Sequence, residues 1–150
     1  MGGALTLRNL TPEDYDAWLP LWRGYQQFYK EEIPAETTRI TWARILDASE
    51  PVFGAIAFSD HRAVGMVHWL YHRSCWTTGN NCYLQDLFVA PDHRGSGIGR
   101  KLIEHVFAAA RIGGCAKVYW LTHETNAQAM LLYDRIARRS GFVHYEKMPL

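Results

Sequence analysis

The segment NCYLQDLFVAPDHRGSGIGRKLI, residues 81–103, changes its pattern of apolar residues across a single loop. Its first nine residues are rich in aromatic and aliphatic side chains, and they are apolar on both faces from Leu84 onward, as in a strand covered on both sides. Three glycines follow within five residues, and the next apolar residues recur at helical spacing: Ile98, Leu102, Val106 and Ala109. The segment therefore predicts a central strand, a glycine-rich loop and a helix, which places the chain among folds that combine helices with a sheet.

The glycine-rich loop stands where the predicted helix begins. The first N–H groups of a helix have no carbonyl partner within it, and they lie at the positive end of the helix dipole. Gly95, Gly97 and Gly99 have no side chains to keep a ligand away from these groups, and Arg94 adds a positive charge. The loop therefore predicts a site for an anion such as a phosphate group.

Two common phosphate-binding motifs do not fit this loop. The dinucleotide motif Gly-x-Gly-x-x-Gly requires a glycine where the chain has Arg100. The Walker motif requires Gly-Lys followed by Ser or Thr, and the chain has Gly99-Arg100-Lys101. Nucleotide binding is therefore the least favoured of the hypotheses for this protein.

Local patterns predict the elements that precede the loop. A strand over residues 4–10 leads to a helix that starts at Thr11 and that Pro20 should kink or split in two. A second helix is expected over residues 35–48. The spacing of apolar residues then changes to that of strands, and residues 52–72 predict an antiparallel hairpin.

The elements after the loop are predicted in the same way. The helix that follows the loop should end at Gly113-Gly114, and residues 117–122 read as a short buried strand. Thr125 and Gln128 match a capping box that opens a last helix, to about Ser140. The segment FVHYEKM after Gly141 predicts a final strand.

Size, charge and cysteine content exclude several classes of protein. The chain has 150 residues, so we expect a single domain over residues 1–150. Its 16 basic and 15 acidic residues leave a net charge of +1, which predicts no broad positive surface for nucleic acid. No stretch resembles a signal peptide or a membrane span, so no membrane association is expected. Three cysteines without paired spacing argue against a disulfide framework and favour a cytoplasmic protein.

Two segments carry motifs in an order shared with a known family. The first is LQDLFVAPDHRGSGIGRKLI and the second is THETNAQAMLLYDRIARRSGF, and together they lie within residues 81–142. In this order the chain resembles the GCN5-related N-acetyltransferases (GNAT), and the second segment is most similar to the branch that includes fungal acetyltransferases of histones, polyamines and D-amino acids. The resemblance implies an α/β fold whose central sheet is mixed, mostly antiparallel and flanked by about four helices.

The resemblance also implies acetyl-CoA as the acetyl donor and assigns residues to it. The loop is implied to bind the pyrophosphate, and the strand before it the pantetheine arm. Tyr133 is implied to donate a proton or a hydrogen bond to the leaving CoA thiolate, and the backbone N–H of Leu87 to stabilise the thioester oxygen. The implied acetyl-CoA residues are Leu87, Phe88, Val89, Arg94, Gly95, Ser96, Gly97, Ile98, Gly99, Arg100, Asn126 and Tyr133.

The chain departs from the family pattern at the residue that takes the proton from the amine. Several family members have a Glu at the position of Gln85, and a Gln side chain cannot accept that proton. Asp86, Glu31, Glu32, His68 or a water molecule held by Gln85 are the open alternatives. By strand alternation Asp86 points to the opposite face from Gln85, unless a β-bulge re-aims it.

Two aromatic and two acidic residues are candidates for the acceptor site. Tyr25, Tyr29, Glu31 and Glu32, with Gln85, are expected to line a pocket that favours cations. A solvated loop is the open alternative for the two glutamates. A metal site built on His68, His72 and Cys75 is not expected, because no fourth ligand is apparent and the segment reads as a strand that runs into a loop.

These observations predict an N-acetyltransferase that moves an acetyl group to a primary amine in a ternary complex. The amine belongs either to a small molecule or to a peptide. The alternative is a catalytically weak module that binds and senses acyl-CoA, because Gln85 replaces the expected base. A homodimer is also expected, because the segment Gly141–Leu150 supplies one strand whose open edge a second copy could cover.

Overall fold

The computed structural model describes residues 3–150, and these form two compact units that divide after Trp120. The strands described in the first unit are β1 (Leu5–Asn9), β2 (Val52–Ser59), β3 (Arg62–His72), β4 (Asn81–Val89) and β5 (Lys117–Tyr119). Its α-helices are α1 (Tyr15–Phe28), α2 (Ala35–Leu46) and α3 (Ile98–Ile112). The second unit, Leu121–Leu150, contains α4 (Ala127–Ile136). A single domain over residues 1–150 stays a prediction.

The five described strands form one sheet in the order β1-β2-β3-β4-β5. The first three pairings are antiparallel, and only β5 runs parallel to its neighbour β4. The prediction of a mixed, mostly antiparallel sheet is therefore confirmed. Strand β5 ends at Tyr119 rather than at residue 122, and its pairing with β4 stops at Tyr83, two residues before a bulge in that strand.

Helices pack on both faces of this sheet. The buried side chains of α1, including Trp18 and Trp22, cluster with Ile56 and Met66 of the central strands. The buried residues of α3 approach Gly65, which is adjacent to Met66 on β3. A Cβ at Gly65 would stand 3.1 Å from the side chain of Leu102. Adjacent residues of a strand point to opposite faces, so α1 and α3 cover opposite sides of the sheet.

The first helix does not split at Pro20. Residues 12–14 form a short 3₁₀ turn, and α1 then runs without a break from Tyr15 to Phe28. Pro20 is the sixth residue of α1, so the hydrogen bond that it cannot donate belongs to the early part of the helix. Of the two expected effects of Pro20, the split into two helices was therefore wrong, and the kink stays a prediction.

The start of α1 is stabilised by a buried carboxylate. Asp14 accepts hydrogen bonds from Nη1 and Nη2 of Arg8 at 2.6 and 2.9 Å, and from the N–H of Thr11 at 2.8 Å. These bonds, above all those from Arg8, lower the pKa of Asp14 from 3.8 to about 2, although burial opposes the shift. Because the folded state holds the lower pKa, its stabilisation is present above pH 3.8 and is lost as the pH falls through about 2.

Asp14→Asn is therefore expected to lower the free energy of unfolding by roughly 1–3 kcal/mol at neutral pH, because Arg8 and the N–H of Thr11 lose a charged acceptor that is itself buried. The difference between the parent and the variant should shrink below pH 4. Urea unfolding over a pH series measures both effects. Asp16→Asn, at an exposed position of α1, is the control. A similar small loss in both variants would contradict the expectation.

The second unit differs from its sequence prediction at both ends. Helix α4 begins at Ala127 without a capping box, because the hydroxyl of Thr125 pairs with Nδ1 of His123 at 2.6 Å. The helix ends at Ile136 rather than near Ser140. No strand is present between Gly141 and Leu150, since none of the described strands pairs with this segment and its apolar side chains are exposed. The prediction of a last strand was wrong.

Candidate active site

The glycine-rich loop joins β4 to α3 and has an open backbone. Gly95 and Gly97 adopt φ values of +81° and +85°, which favour glycine over any residue with a side chain. A Cβ at either position would meet no atom within 4 Å. The first helical hydrogen bond runs from the N–H of Lys101 to the carbonyl of Gly97, so the N–H groups before Lys101 lie ahead of the helical ladder. This geometry fits the binding of a pyrophosphate.

The guanidinium group of Arg94 is held in place at the start of this loop. Its Nε–H donates to the carbonyl oxygen of Val89 at 2.9 Å, which ties the side chain to the end of β4. The guanidinium carbon also lies 5.3 Å from the ring centre of Phe28 and 5.5 Å from that of Phe88. An arginine held at Nε and stacked on rings keeps its Nη groups in a fixed plane, which suits recognition of an anion.

A cavity of about 550 Å³ opens between α1, α2 and the middle of β4. It brings together all the residues that the sequence predicted for the acceptor site, and it contains Asp86 as well. Its lining residues are Trp22, Tyr25, Gln26, Tyr29, Glu31, Glu32, Ile33, Thr37, Thr41, Gln85 and Asp86.

Gln26 fixes the turn that carries the two glutamates. Its buried side chain accepts a hydrogen bond from the N–H of Ile33 at 2.9 Å through Oε1. Its backbone carbonyl accepts the N–H of Glu31 at 2.9 Å. Hydrogen bonds on both sides of Glu32 therefore fix the turn after α1. The carboxylates of Glu31 and Glu32 lie at the opening of the cavity, whose wall is aromatic.

A β-bulge in β4 places Gln85 and Asp86 together on the cavity. His68 of β3 is opposite Asp86, and its neighbour Trp69 is opposite Leu84, so Gln85 has no partner in the ladder. A regular strand would send these two side chains to opposite faces. The bulge instead lets both line the cavity, which is the exception that the sequence analysis allowed for.

Asp86 lies beside two donor groups. Its Oδ2 lies 2.9 Å from Nδ1 of His68, and its carboxylate interacts with the nearby hydroxyl of Tyr25. Burial raises the pKa of Tyr25, and the negative charge of Asp86 raises it further. Sequence reasoning treated Asp86 and His68 as separate candidates and did not anticipate their pairing, which depends on the register between β3 and β4.

The other predicted acetyl-CoA residues fall into two groups. Leu87, Phe88 and Val89 follow the bulge on β4, and the side chain of Phe88 is buried in the core rather than free for a ligand. Asn126 precedes α4 and donates to Oγ1 of Thr122 at 3.2 Å, while Tyr133 lies half-buried on the same helix. The roles of these residues stay predictions.

Groups of metal ligands and membrane-spanning helices are both absent from the described residues. Among residues 3–150 there is no group of three or more His, Cys, Asp or Glu side chains that could hold a metal ion. Within the same residues, none of the helices has the length and hydropathy needed to cross a membrane.

Comparison with known families decides the class of protein. The model of the acetyltransferase (GNAT) family matches residues 15–137. The chain belongs to the GNAT family. Its α/β fold is the GNAT fold, and it is an acetyl-CoA-dependent N-acetyltransferase, as the motifs predicted. The alternative of a module that only senses acyl-CoA loses its support.

Individual GNAT relatives cover nearly the whole chain. D-amino-acid N-acetyltransferase HPA3 of Saccharomyces cerevisiae is 37% identical over 145 residues, which are 95% of this chain and 90% of that protein. Thialysine N-epsilon-acetyltransferase of Caenorhabditis elegans is 31% identical over 128 residues, 85% of this chain and 79% of that protein. The structure of AAC(6')-Iy with the bisubstrate analog CoA-S-monomethyl-acetylneamine aligns with a TM-score of 0.86 at 17% identity, over 99% of this chain and 100% of that one.

Proposed function

We propose that this enzyme acetylates a primary amine of a small cationic molecule, and that the amine enters the cavity between α1, α2 and β4. The observation that carries the proposal is the charge of this cavity. Glu31, Glu32 and Asp86 line it, and no Lys, Arg or His occurs among its described lining residues. Its aromatic wall, which includes Tyr25 and Tyr29, can contact an ammonium group through the ring faces.

The relatives narrow the class of acceptor. Their names refer to D-amino acids and thialysine, and the neighbouring structure holds an acetylneamine analog. Thialysine and neamine carry more than one amino group, whereas an amino acid with an apolar side chain carries one ammonium and one carboxylate. An acidic cavity favours the first kind of molecule. We therefore propose amino acids with a basic side chain, among them D-lysine, as the best acceptors.

Acetyl transfer requires the amine to lose a proton. Acetyl-CoA supplies the activated acetyl group, and only an uncharged amine can attack it. An alkyl ammonium has a pKa near 10.4, so forming the free amine at pH 7 costs roughly 4–5 kcal/mol. The Asp86 carboxylate lines the cavity and is held by His68, so we assign it to bind the ammonium and accept its proton. Gln85 beside it can orient the amine or a water molecule.

The cysteines support direct transfer rather than an acetylated enzyme. Burial raises the pKa of the Cys82 thiol to about 12, which suppresses the nucleophilic thiolate. The lining residues of the cavity include neither Cys nor Ser among those described. The amine therefore attacks the thioester itself, and the backbone N–H of Leu87 stays the proposed donor to its oxygen.

The proposed acetyl-CoA site rests on the loop from Arg94 to Arg100. Gly97→Val is expected to raise the KM for acetyl-CoA roughly tenfold or more, because its side chain would occupy open space beside the N–H groups. Positive φ makes this change cost about 1–2 kcal/mol of stability as well. Gly114→Val is the matched control, since Gly114 has a φ of +72° and equally open surroundings at the far end of α3.

The comparison of the two valine variants separates binding from stability. Calorimetric titration with CoA and a thermal melt should be run on both proteins. Weak CoA binding in Gly97→Val alone supports the site. Parental CoA affinity in a folded Gly97→Val protein would contradict it.

The proposed acceptor class is tested by a thiol-release assay with acetyl-CoA and a panel of amines. The panel contains D-lysine, thialysine, spermidine, neamine, D-alanine and a lysine-bearing peptide. We expect kcat/KM for D-lysine and thialysine to exceed that for D-alanine by roughly tenfold or more, since the second charge meets a carboxylate. The double variant Glu31→Gln, Glu32→Gln should lose this preference. A preference for D-alanine in the parent enzyme would overturn the proposal.

We also propose a homodimer in which the segment after α4 contacts the second copy. The side chains of Phe142, Tyr145 and Met148 are 91%, 90% and 81% exposed, and several exposed large apolar side chains within one short segment favour association. Light scattering should give the mass of a dimer for the parent and of a monomer for the variant Phe142→Ser, Tyr145→Ser. A monomeric parent, or a dimer that survives both changes, would argue against this interface.

A further inference from the structure

Three side chains connect the core under α1 to the cavity. Trp18 is fully buried and donates its Nε1–H to Nε2 of His68, with 2.9 Å between the nitrogens. His68 is 2% exposed, and its Nδ1 lies 2.9 Å from Oδ2 of Asp86. The side chain of Asp86 is 13% exposed and lines the cavity.

The indole group determines which imidazole nitrogen carries the proton. An indole N–H can only donate, so Nε2 of His68 must accept and carries no hydrogen. The single ring hydrogen of the neutral imidazole therefore sits on Nδ1, which donates to Asp86. A doubly protonated ring would set an N–H of His68 against the N–H of Trp18.

The surrounding residues fix the imidazole ring in this orientation. The ring centres of Trp18 and Trp22 lie 5.8 and 5.1 Å from that of His68. On the neighbouring strand Gly54 is opposite His68, and a Cβ there would stand 3.2 Å from the imidazole Cδ2. The absence of a side chain at Gly54 therefore leaves room for the ring.

We propose that His68 is a positioning residue for Asp86 and that Trp18 selects its tautomer by keeping Nε2 free of hydrogen, an inference that rests on the proposed role of Asp86 toward the amine. An uncharged donor holds one oxygen of Asp86 without neutralising the carboxylate. The full negative charge then remains available to the ammonium group in the cavity. An imidazolium at the same place would compete with the acceptor for that charge.

Two substitutions of His68 separate positioning from packing. The amide nitrogen of Asn replaces Nδ1 of histidine, whereas the amide oxygen of Gln replaces Nε2. His68→Asn therefore keeps the donor to Asp86 and loses the acceptor for Trp18, and His68→Gln does the reverse. Both remove the ring, so their melting temperatures should fall by similar amounts.

The expected result is a split in activity at similar stability. His68→Asn should keep kcat/KM for the best amine within about threefold of the parent, and His68→Gln should lose about tenfold or more, because Asp86 loses a buried donor. Equal losses in both variants, or losses that follow the melting temperature, would overturn the positioning role.

A spectroscopic readout tests the tautomer without any assay of activity. Among the histidine signals in the ¹⁵N spectrum of labelled protein, one set should belong to a neutral, Nδ1-protonated imidazole and be absent from His68→Asn. Trp18→Phe should let Nε2 take up a second hydrogen, whereas Nδ1 stays protonated against Asp86. An Nε2-protonated or doubly protonated His68 in the parent at neutral pH would contradict the inference.

The outcomes distinguish this inference from the proposed function. If Asp86→Asn is inactive while the two His68 variants are equally active, the role of Asp86 stands and that of His68 fails. If the parent acetylates no cationic amine, the proposed function fails, and the ¹⁵N spectrum still decides whether Trp18 selects the tautomer.

Discussion

Replacing Asp86 by Asn is expected to lower kcat/KM for the amine by roughly 10²–10⁴-fold, the range that proton transfer by a positioned side chain contributes. Asn fits the same space and can still accept the hydrogen bond from His68 through its amide oxygen, but it has neither the charge nor the basicity of a carboxylate. The KM for acetyl-CoA should stay near the parental value, because the glycine-rich loop is unchanged.

The control for this substitution is Asp47→Asn, which removes a carboxylate from the turn after α2. Steady-state rates with both substrates varied and a thermal melt of each variant give the needed comparison. Glu31→Gln and Glu32→Gln should be measured beside them, since both residues were open alternatives for the base. If Asp86→Asn keeps the parental kcat and one glutamine variant loses it, the proton goes to that glutamate instead.

Tyr133→Phe is expected to lower kcat roughly 10–100-fold while leaving the dissociation constant of acetyl-CoA unchanged. The leaving group is a thiolate, whose conjugate acid has a reference pKa near 8.5, and a phenol can stabilise it by a hydrogen bond or a proton. Phenylalanine keeps the ring and removes only this donor. The effect should therefore appear in turnover and not in affinity.

Tyr145→Phe is the matched control, because Tyr145 belongs to the same unit, Leu121–Leu150, and its side chain is 90% exposed. Burst kinetics and single-turnover rates should be compared for the two variants, since release of products can hide a slower chemical step. Tyr133 is a packing residue if its variant turns over at the parental rate.

The parts of the fold that sequence predicted well depend on neighbours along the chain. The strand, loop and helix around Gly97 follow from local periodicity and from glycines that tolerate positive φ, and the structure has all three in place. The same holds for the hairpin over residues 52–72, whose turn is marked by Asp60 at a φ of +56°. The acidic and aromatic lining from Tyr25 to Glu32 was also predicted, because these residues lie near one another along the chain, in the last turn of α1 and just after it.

The parts that sequence did not predict depend on partners far away in the chain. The bulge at Gln85 is a property of how β3 and β4 pair, and the link from Asp86 to His68 follows from that register. The strand expected after Gly141 has the right composition, but a strand also needs a pairing partner, and this segment pairs with none of the described strands. Pro20 failed to split α1 because the rest of the helix buries two tryptophans against the sheet.

Acetylation of a primary amine is tested most directly by identifying the atom that receives the acetyl group. The full chain should be incubated with isotope-labelled acetyl-CoA and the amine that it accepts fastest, and the product analysed by fragmentation in a mass spectrometer. We expect label on a primary amine of a cationic small molecule in the parent, and little label with Asp86→Asn. Release of CoA without an acetylated amine, or label on a hydroxyl group, would contradict this expectation.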